Sequence, residues 1–366
     1  MKKTFKRISA VAGVTVLGVA TLAGCTQKSS KASSMFGVMS DACELEKYTY
    51  EITSSAKGVD SDEKMDISIF GECDGTAMTM GMKFNIEGEE YNLEDLFILT
   101  EDTVWINVDT VCTFAEEMIG ESYDLTEYGI DKDWISIECE NNFADMKVDD
   151  DIYDALDKAY DDLITEKDGK FVMEISDEES FQDFIDATTN LIEDNGDKWA
   201  EDMAEAYSSV DFEKIVKDMI YDVIVNINTT LDAGLTDDDI DAYVEEAMAE
   251  VGFSEMEIDA ADIQEMFDEM LTELEASKEA ELGESEMKVT AYQEKDSYVT
   301  KAEFVSYEDG EEIEIETSIV ITKDNSVKVE LPTENSMTLS DAICAFIQKA
   351  GMEGLTDSFS DAAFGE

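Results

Sequence analysis

What most limits the folds open to this chain is where its hydrophobic periodicity changes. Two outer stretches alternate apolar and polar residues, the strand signature, and the stretch between them repeats at three and four, the helix signature. Tyr48, Tyr50 and Ile52 alternate with polar residues up to a turn at Lys57-Gly58-Val59-Asp60. Met65, Ile67 and Ile69 follow, and after Asp74-Gly75 come Met78, Met80, Met82, Phe84 and Ile86 on one face, ended by Glu87-Gly88-Glu89. Leu96 and Ile98, then Val104, Ile106 and Val108, predict a hairpin around Glu101-Asp102. A strand near Trp134 to Cys139, a helix from Ala144 to Ile164 and a strand at Phe171, Met173 and Ile175 lead into the middle.

There the helical spacing takes over. Phe181, Phe184, Ile185, Thr188, Leu191 and Ile192 form one face, continued by Trp199, Met203 and Tyr207 after a break at Asn195-Gly196. Phe212, Ile215, Val216, Met219, Val223 and Ile227 form a stripe wide enough to imply deep burial. Ile240, Tyr243, Val244 and Ala247 mark a third helix, and Ile263, Met266, Phe267, Met270, Leu271 and Leu274 a fourth. Strands then return at Met287, Val289 and Ala291, at Tyr298 to Tyr307, and at Ile313, Ile315, Thr317, Ile319 and Ile321. Val327, Val329 and Leu331 predict a last strand closed by Pro332, which cannot donate to a ladder. A helix over Leu339 to Ala350 stops at Gly351. This order predicts one α+β domain over residues 41–366. Its strands, at about 46–140 and 286–331, share a curved antiparallel sheet, covered by a helical insert over about 178–281 and followed by the C-terminal helix at 339–350.

Ahead of that body, Met1 to Arg7 is basic and Ile8 to Leu22 is apolar but short for a membrane-spanning helix. The segment closes with Leu22, Ala23, Gly24 and Cys25, which resembles a bacterial lipobox, the motif cut just before its cysteine. The alternative is an ordinary secretory signal with an incidental cysteine. The resemblance implies that residues 1–24 are a lipoprotein signal peptide and that Cys25 carries diacylglycerol with acyl chains such as palmitate. The protein would then be held on the extracytoplasmic face of the cell membrane, two or more acyl chains giving stable attachment. Residues 25–40, with five serines, Lys28 and Lys31, predict a flexible tether reaching roughly 20 Å.

Charge excludes most catalytic chemistries. The chain has 25 basic and 91 acidic residues and no histidine. Lys2, Lys3, Lys6 and Arg7 lie in the signal segment, leaving 21 lysines and no arginine, a balance of −70. Histidine bases, Ser-His-Asp and Cys-His pairs and arginine clamps on phosphate are therefore ruled out. Nucleic acid would be repelled.

The remaining motifs are weak. Asp237, Asp239 and Asp241 have the spacing of an EF-hand's first ligands, but Ala242 stands where Gly is needed and Met248 where the bidentate Glu belongs. A capped acidic helix start, with Thr236 and Asp239 as a capping box, explains them better. No metal site is predicted; weak, non-specific Ca²⁺ binding is expected of the acidic surface, and no cofactor. Ser54-Ser55-Ala56-Lys57 matches S-x-x-K, but it ends a strand and lacks a Lys-Thr-Gly partner. Cys43 and Cys73 are nearly equidistant from the turn at Gly58-Val59, which permits either a disulfide or two reduced thiols.

The order of elements behind a lipobox also resembles the half-barrel lipoproteins of the LolA and LppX/LprG type. The likeness lies in Thr103-Val104-Trp105-Ile106-Asn107-Val108, Asp133-Trp134-Ile135-Ser136-Ile137 and Ile319-Val320-Ile321-Thr322-Lys323-Asp324-Asn325-Ser326-Val327-Lys328-Val329. It implies a sheet and helices enclosing an acyl or lipid cavity. Met78, Met80, Met82, Phe84 and Ile86 are the candidate lining, since methionine adapts to irregular partners; packing against the middle helices is the alternative. The expectation is a non-catalytic binding module for an apolar or amphiphilic ligand. The second reading is a polyanionic interaction lipoprotein meeting cationic partners, divalent ions or cell wall.

Crowded like charge disfavours ionisation and raises folded-state carboxyl pKa values. The folded state then binds more protons than the unfolded one, so stability rises on mild acidification. A melting temperature higher near pH 5 than near pH 8 at low salt is expected in thermal scans, with salt or millimolar Ca²⁺ narrowing the gap. A rise from pH 5 to pH 8 would mean that the carboxylates are specifically paired.

Overall fold

A computed structural model describes residues 34–58, 64–86, 89–120, 124–138, 150–208, 212–231, 234–251, 260–278, 285–308 and 311–350. The class is α+β, with twelve strands and eight α-helices among the described residues. Among the described residues these strand pairings are antiparallel except the short edge pair Ser336–Thr338 with Trp134–Glu138. The chain divides into two compact units, Met1–Glu94, Asn142–Val210 and Ile258–Val329 forming one, and Asp95–Asn141, Asp211–Glu257 and Glu330–Glu366 the other. The helical insert is thus shared between them.

In the first unit β1 (Tyr48–Gly58), β2 (Lys64–Cys73) and β3 (Ala77–Ile86) lead into β4 (Glu89–Thr100). β7 (Ile164–Lys167), β8 (Lys170–Ile175), β9 (Glu286–Glu294), β10 (Ser297–Glu308) and β11 (Glu311–Lys323) complete its sheet. The order is β4-β3-β2-β1-β11-β10-β9-β8-β7, so N- and C-terminal strands meet where β1 pairs with β11. Asp95 takes φ 50°, in the left-handed region, and the burial alternation of β4 slips between Leu93 and Leu96, as at a bulge.

The core of this unit lies where helices meet β8, β9 and β10. Helix α1 (Met35–Cys43) packs on β9 and β10, and α3 (Asp150–Tyr160) packs beside α1. α4 (Glu178–Ser208) packs on β8 and against α7 (Ala260–Lys278). Met35, Phe36, Val38, Met173, Ile175, Phe184 and Ile185 are each at most 2% exposed. Burying each of the large apolar side chains contributes about 1.5–3 kcal/mol.

Helix α1 corrects the tether reading. Residues 35–40 are not flexible coil: Met35, Phe36, Val38 and Met39 fall on one helical face and fill the core. Ser34 caps the helix by accepting from the Gly37 N–H at 3.0 Å, and its hydroxyl donates to Asp157. Asp157 also accepts from the Phe36 N–H at 3.3 Å. Burial pushes its carboxyl up, outweighing these two hydrogen bonds.

Other expectations shift in boundary. The helix expected over Ala144 to Ile164 is α3 followed by a single 3-10 turn at Asp161–Leu163 and then β7, while residues 144–149 lie outside the described set. α4 runs unbroken through Asn195-Gly196. The Asn195 side chain donates back to the Leu191 carbonyl at 2.8 Å, and bare Gly196 admits the Phe267 ring of α7. Met203 and Met266, expected on buried faces, are exposed. The strand expected over Val327 to Leu331 does not form. Val327 and Val329 are buried, but the Val329 N–H donates to the Asp74 carboxylate at 3.1 Å instead of to a ladder.

The second unit holds the rest of β4, then β5 (Thr103–Asn107), β6 (Trp134–Glu138) and β12 (Ser336–Thr338), in the order β12-β6-β5-β4. Val108 opens helix α2 (Val108–Ile119) and does not extend the hairpin strand, because the Asn107 side chain caps the first turn and left-handed Gly120 ends the last. Helices α5 (Phe212–Leu231), α6 (Asp237–Val251) and α8 (Leu339–Ala350) complete the unit, α5 packing on the other two. Ile240 and Val244 of α6 are buried. The wide stripe of α5 is not deeply buried: Val216, Met219, Val223 and Ile227 are half-exposed. Asn226 of α5 donates to the Ser340 hydroxyl and the Asp341 carboxylate of α8. The α8 boundaries match those read from the sequence; Gly351 lies outside the described residues.

Asp74 ties the β2–β3 turn to the extended segment. It accepts from the N–H groups of Thr76, Ala77 and Val329 and from the Thr76 hydroxyl. Desolvation is the largest single influence and pushes its carboxyl up, but those hydrogen bonds together outweigh it and hold it down at about 2. A depressed folded pKa stabilises the fold above the ordinary carboxyl value of about 4, and that contribution is lost as pH falls toward the folded value. Asp74→Ala is expected to cost about 1–2 kcal/mol in urea unfolding at neutral pH. The deficit should shrink as pH is lowered from about 4 to 2.

Candidate functional site

Cross-strand register gives the first unit's sheet three rows without ionisable residues on one face. Met82, Ile69, Ile52, Ile319, Thr300, Ala291 and Phe171 stand opposite one another in turn from β3 to β8. The next row reads Phe84, Ile67, Ser54, Thr317, Ala302, Val289 and Met173. A third, from β2 to β8, reads Met65, Ala56, Ile315, Phe304, Met287 and Ile175. Between them runs a row on the other face: Asn85, Asp66, Ser55, Glu316, Glu303, Lys288 and Glu174. Side chains alternate faces along a strand, so the ionisable residues of these rows all lie on one side.

Along the apolar face burial is uneven. Met173, Ile175, Val289, Ala291 and Phe304 are buried under the helices at the β8–β10 side. Ile52, Ile69, Met78, Met80, Met82 and Phe84 are half-buried toward β3. Met65 is 50% and Ile67 37% exposed. Phe84 stacks on Tyr91 of β4 with ring centroids 5.2 Å apart, which carries the apolar face onto that strand. The methionine row is not among the described residues of the helix-packed core, and its described side chains are half-buried. Ile86 closes β3, but its side chain lies outside the described residues.

At the Tyr48 end the face is closed by phenols. The Tyr50 hydroxyl donates to the Thr79 carbonyl at 2.9 Å, and the Glu72 N–H turns to the Thr79 hydroxyl at 3.0 Å. Burial pushes the Tyr48 and Tyr50 phenols up, Tyr50 to about 12, with neighbouring Cys73 adding to both. Cys43 and Cys73 are not joined by a disulfide. The hairpin register sets Tyr48, not Cys43, opposite Cys73, because Cys43 has left the strand to end α1. Cys43 Sγ lies 3.7 Å from the Tyr153 hydroxyl.

The remaining motifs fall in place locally. Thr236 and Asp239 form the expected capping box, the Thr236 hydroxyl donating to Asp239 at 2.6 Å and accepting from its N–H at 3.3 Å. Ser54 and Lys57 lie in β1, three residues apart and so on opposite faces, which is not the helical arrangement S-x-x-K chemistry uses. Among the described residues no cluster of cysteine and carboxylate side chains is placed to hold a metal ion. Among the same residues no helix is long and apolar enough to cross a membrane. Leu22, Ala23, Gly24, Cys25 and Cys139 lie outside the described residues.

Comparison with protein-family models, with curated proteins and with solved structures finds no match. The site is therefore read from its own geometry. The lining missed in the sequence, Met65 and Ile67 above all, shows the same alternation as the methionine row, but its exposure depends on which neighbouring strands the helices cover.

Gly71 lies at the closed end of the face. A Cβ built there would stand 2.0 Å from the Thr79 carbonyl oxygen and 2.9 Å from the Tyr50 ring. The oxygen belongs to the backbone and cannot swing aside. Gly71→Ala should cost about 3 kcal/mol or more in urea unfolding.

Proposed function

We propose that the protein is a lipid-anchored extracytoplasmic lipoprotein that holds an apolar or amphiphilic ligand on the half-covered face of its first unit. The observation that carries this reading is segregation: three successive apolar rows with no ionisable residue, in a chain with 91 carboxylates, ending in exposed Met65 and Ile67. Exposed contiguous apolar surface marks interaction or ligand sites. Methionine and isoleucine suit an acyl chain, since dispersion contacts need close packing and no directional partner. The lipobox reading of Leu22 to Cys25 supplies the anchor. Because α1 is folded, the free linker would run only from Cys25 to Ser34, a span of about 17 Å for a flexible chain. The ligand face is thereby kept close to the bilayer, the natural source of amphiphiles.

A second reading is favoured by the opposite face, where Asp66, Glu316, Glu303 and Glu174 share one row with a single lysine. That surface suits cationic partners, divalent ions or cell wall.

Native mass spectrometry of full-length protein extracted from membranes decides between them. The expected spectrum shows an N-terminal diacylglycerol mass on Cys25 and a co-purifying amphiphile, which is depleted in Ile67→Ser. Ligand-free wild-type protein would end the binding-module reading, and an unmodified Cys25 would end the anchor.

A further inference from the structure

The charge around the open end of the apolar face selects among amphiphiles. Tyr91 lies on that face, stacked on Phe84, and Glu89 stands two residues before it in the same strand. Alternation places Glu89 on the same side of β4, at the rim beside the exposed end of the face. Glu89 is exposed and begins the strand, so its carboxylate meets water and any ligand head together.

The lysines whose side chains are described lie off this rim. Lys57 stands one residue beyond Ala56 in β1 and so falls on the charged face. Lys83 sits over the Phe70 ring, 4.8 Å from its centroid, and Lys47 donates to the Val327 carbonyl at 2.9 Å. Lys323 does share the apolar side, but it pairs with Tyr48 at the closed end. Eight residues separate it from Ile315, about 26 Å along the strand. A tail lying on Met65, Ile67 and Phe84 would leave its head beside Glu89 and beyond the reach of Lys323.

We infer that the face takes an amphiphile with a cationic head, recognised by Glu89, and disfavours anionic heads. This rests on the ligand-binding reading above and names the ligand class for that site. An anionic head would meet both the Glu89 carboxylate and the field of a body at −70, which is screened over only about 8 Å at physiological salt. A cationic head would gain from both.

Three amphiphiles of equal tail length separate the terms: dodecyltrimethylammonium, the uncharged dodecyl glycerol ether and dodecanoate. Each is titrated below its micelle concentration into full-length protein, with displacement of a fluorescent acyl probe as the readout. At low salt the ammonium should bind about tenfold more tightly than the carboxylate, with the glycerol ether between them. Glu89→Gln should bring the ammonium close to the glycerol ether, and Glu89→Lys should put the carboxylate ahead. Ile67→Ser should weaken all three alike. A carboxylate that binds as tightly as the ammonium to the wild type overturns the inference. So does an order unchanged in Glu89→Lys, which would mean general adsorption to a polyanion. If none of the three displaces the probe, the ligand-binding reading itself falls.

Discussion

The pairing of β1 between β2 and β11 holds the first unit to one arrangement. Its eleven residues are matched from Tyr48 opposite Lys323 to Gly58 opposite Ile313, and ten of them are matched again to β2. A shift by one residue would turn Glu314 and Glu316 toward the helices and send Ile315 and Ile319 to solvent, because each position along a strand faces the opposite side from its neighbours. Burying an unpaired carboxylate costs several kcal/mol, so the charged residues between the isoleucines specify register more strongly than the isoleucines do. A strongly acidic composition thus helps to define the fold.

That constraint also separates what could be read from the sequence from what could not. Strands such as Met78 to Phe84 were legible because alternation is a local property. Helix α1 was not. Met35-Phe36-Gly37-Val38-Met39 is too short to form a stable helix alone, and it gains its structure from β9, β10 and the Asp157 cap far along the chain. Val108 continued the apparent alternation of Val104 and Ile106, but the Asn107 cap turned the chain into α2. Val327 and Val329 alternate like strand residues and are buried like them, yet their segment is tied to Asp74. The methionine row of the site was legible, whereas the roles of Met65, Ile67 and Glu89 required knowing which strands stand beside them.

The described carboxylates whose pKa is displaced act locally. Asp177, Asp239 and Asp324 are held below the ordinary carboxyl value, chiefly by hydrogen bonds from Ser180, Thr236 and Ser326. Each partner is within three residues, so these aspartates shape turns and helix starts. Asp157 is the opposite case, half-buried and raised by desolvation, and it is the carboxylate that binds the start of α1 to α3. Charge is thus spent on termini and turns, and the interior of the sheet's inner face stays free of it.

The exposure of Met65 and Ile67 has a physical cost that the fold does not require. Both lie on β2, whose other face accepts Asp66 and Ser68, so the strand tolerates polar side chains with ease. Neither is part of the helix-packed core, and polar replacements there would remove apolar surface from water without opening a cavity. Elsewhere exposed strand positions are filled with glutamate, as at Glu314 and Glu316 of β11. This chain instead keeps an apolar pair at the edge of three rows without ionisable residues, with Glu89 at the rim. Under the proposed ligand-binding reading that arrangement has a use, since a ligand would cover the pair and present its head to Glu89.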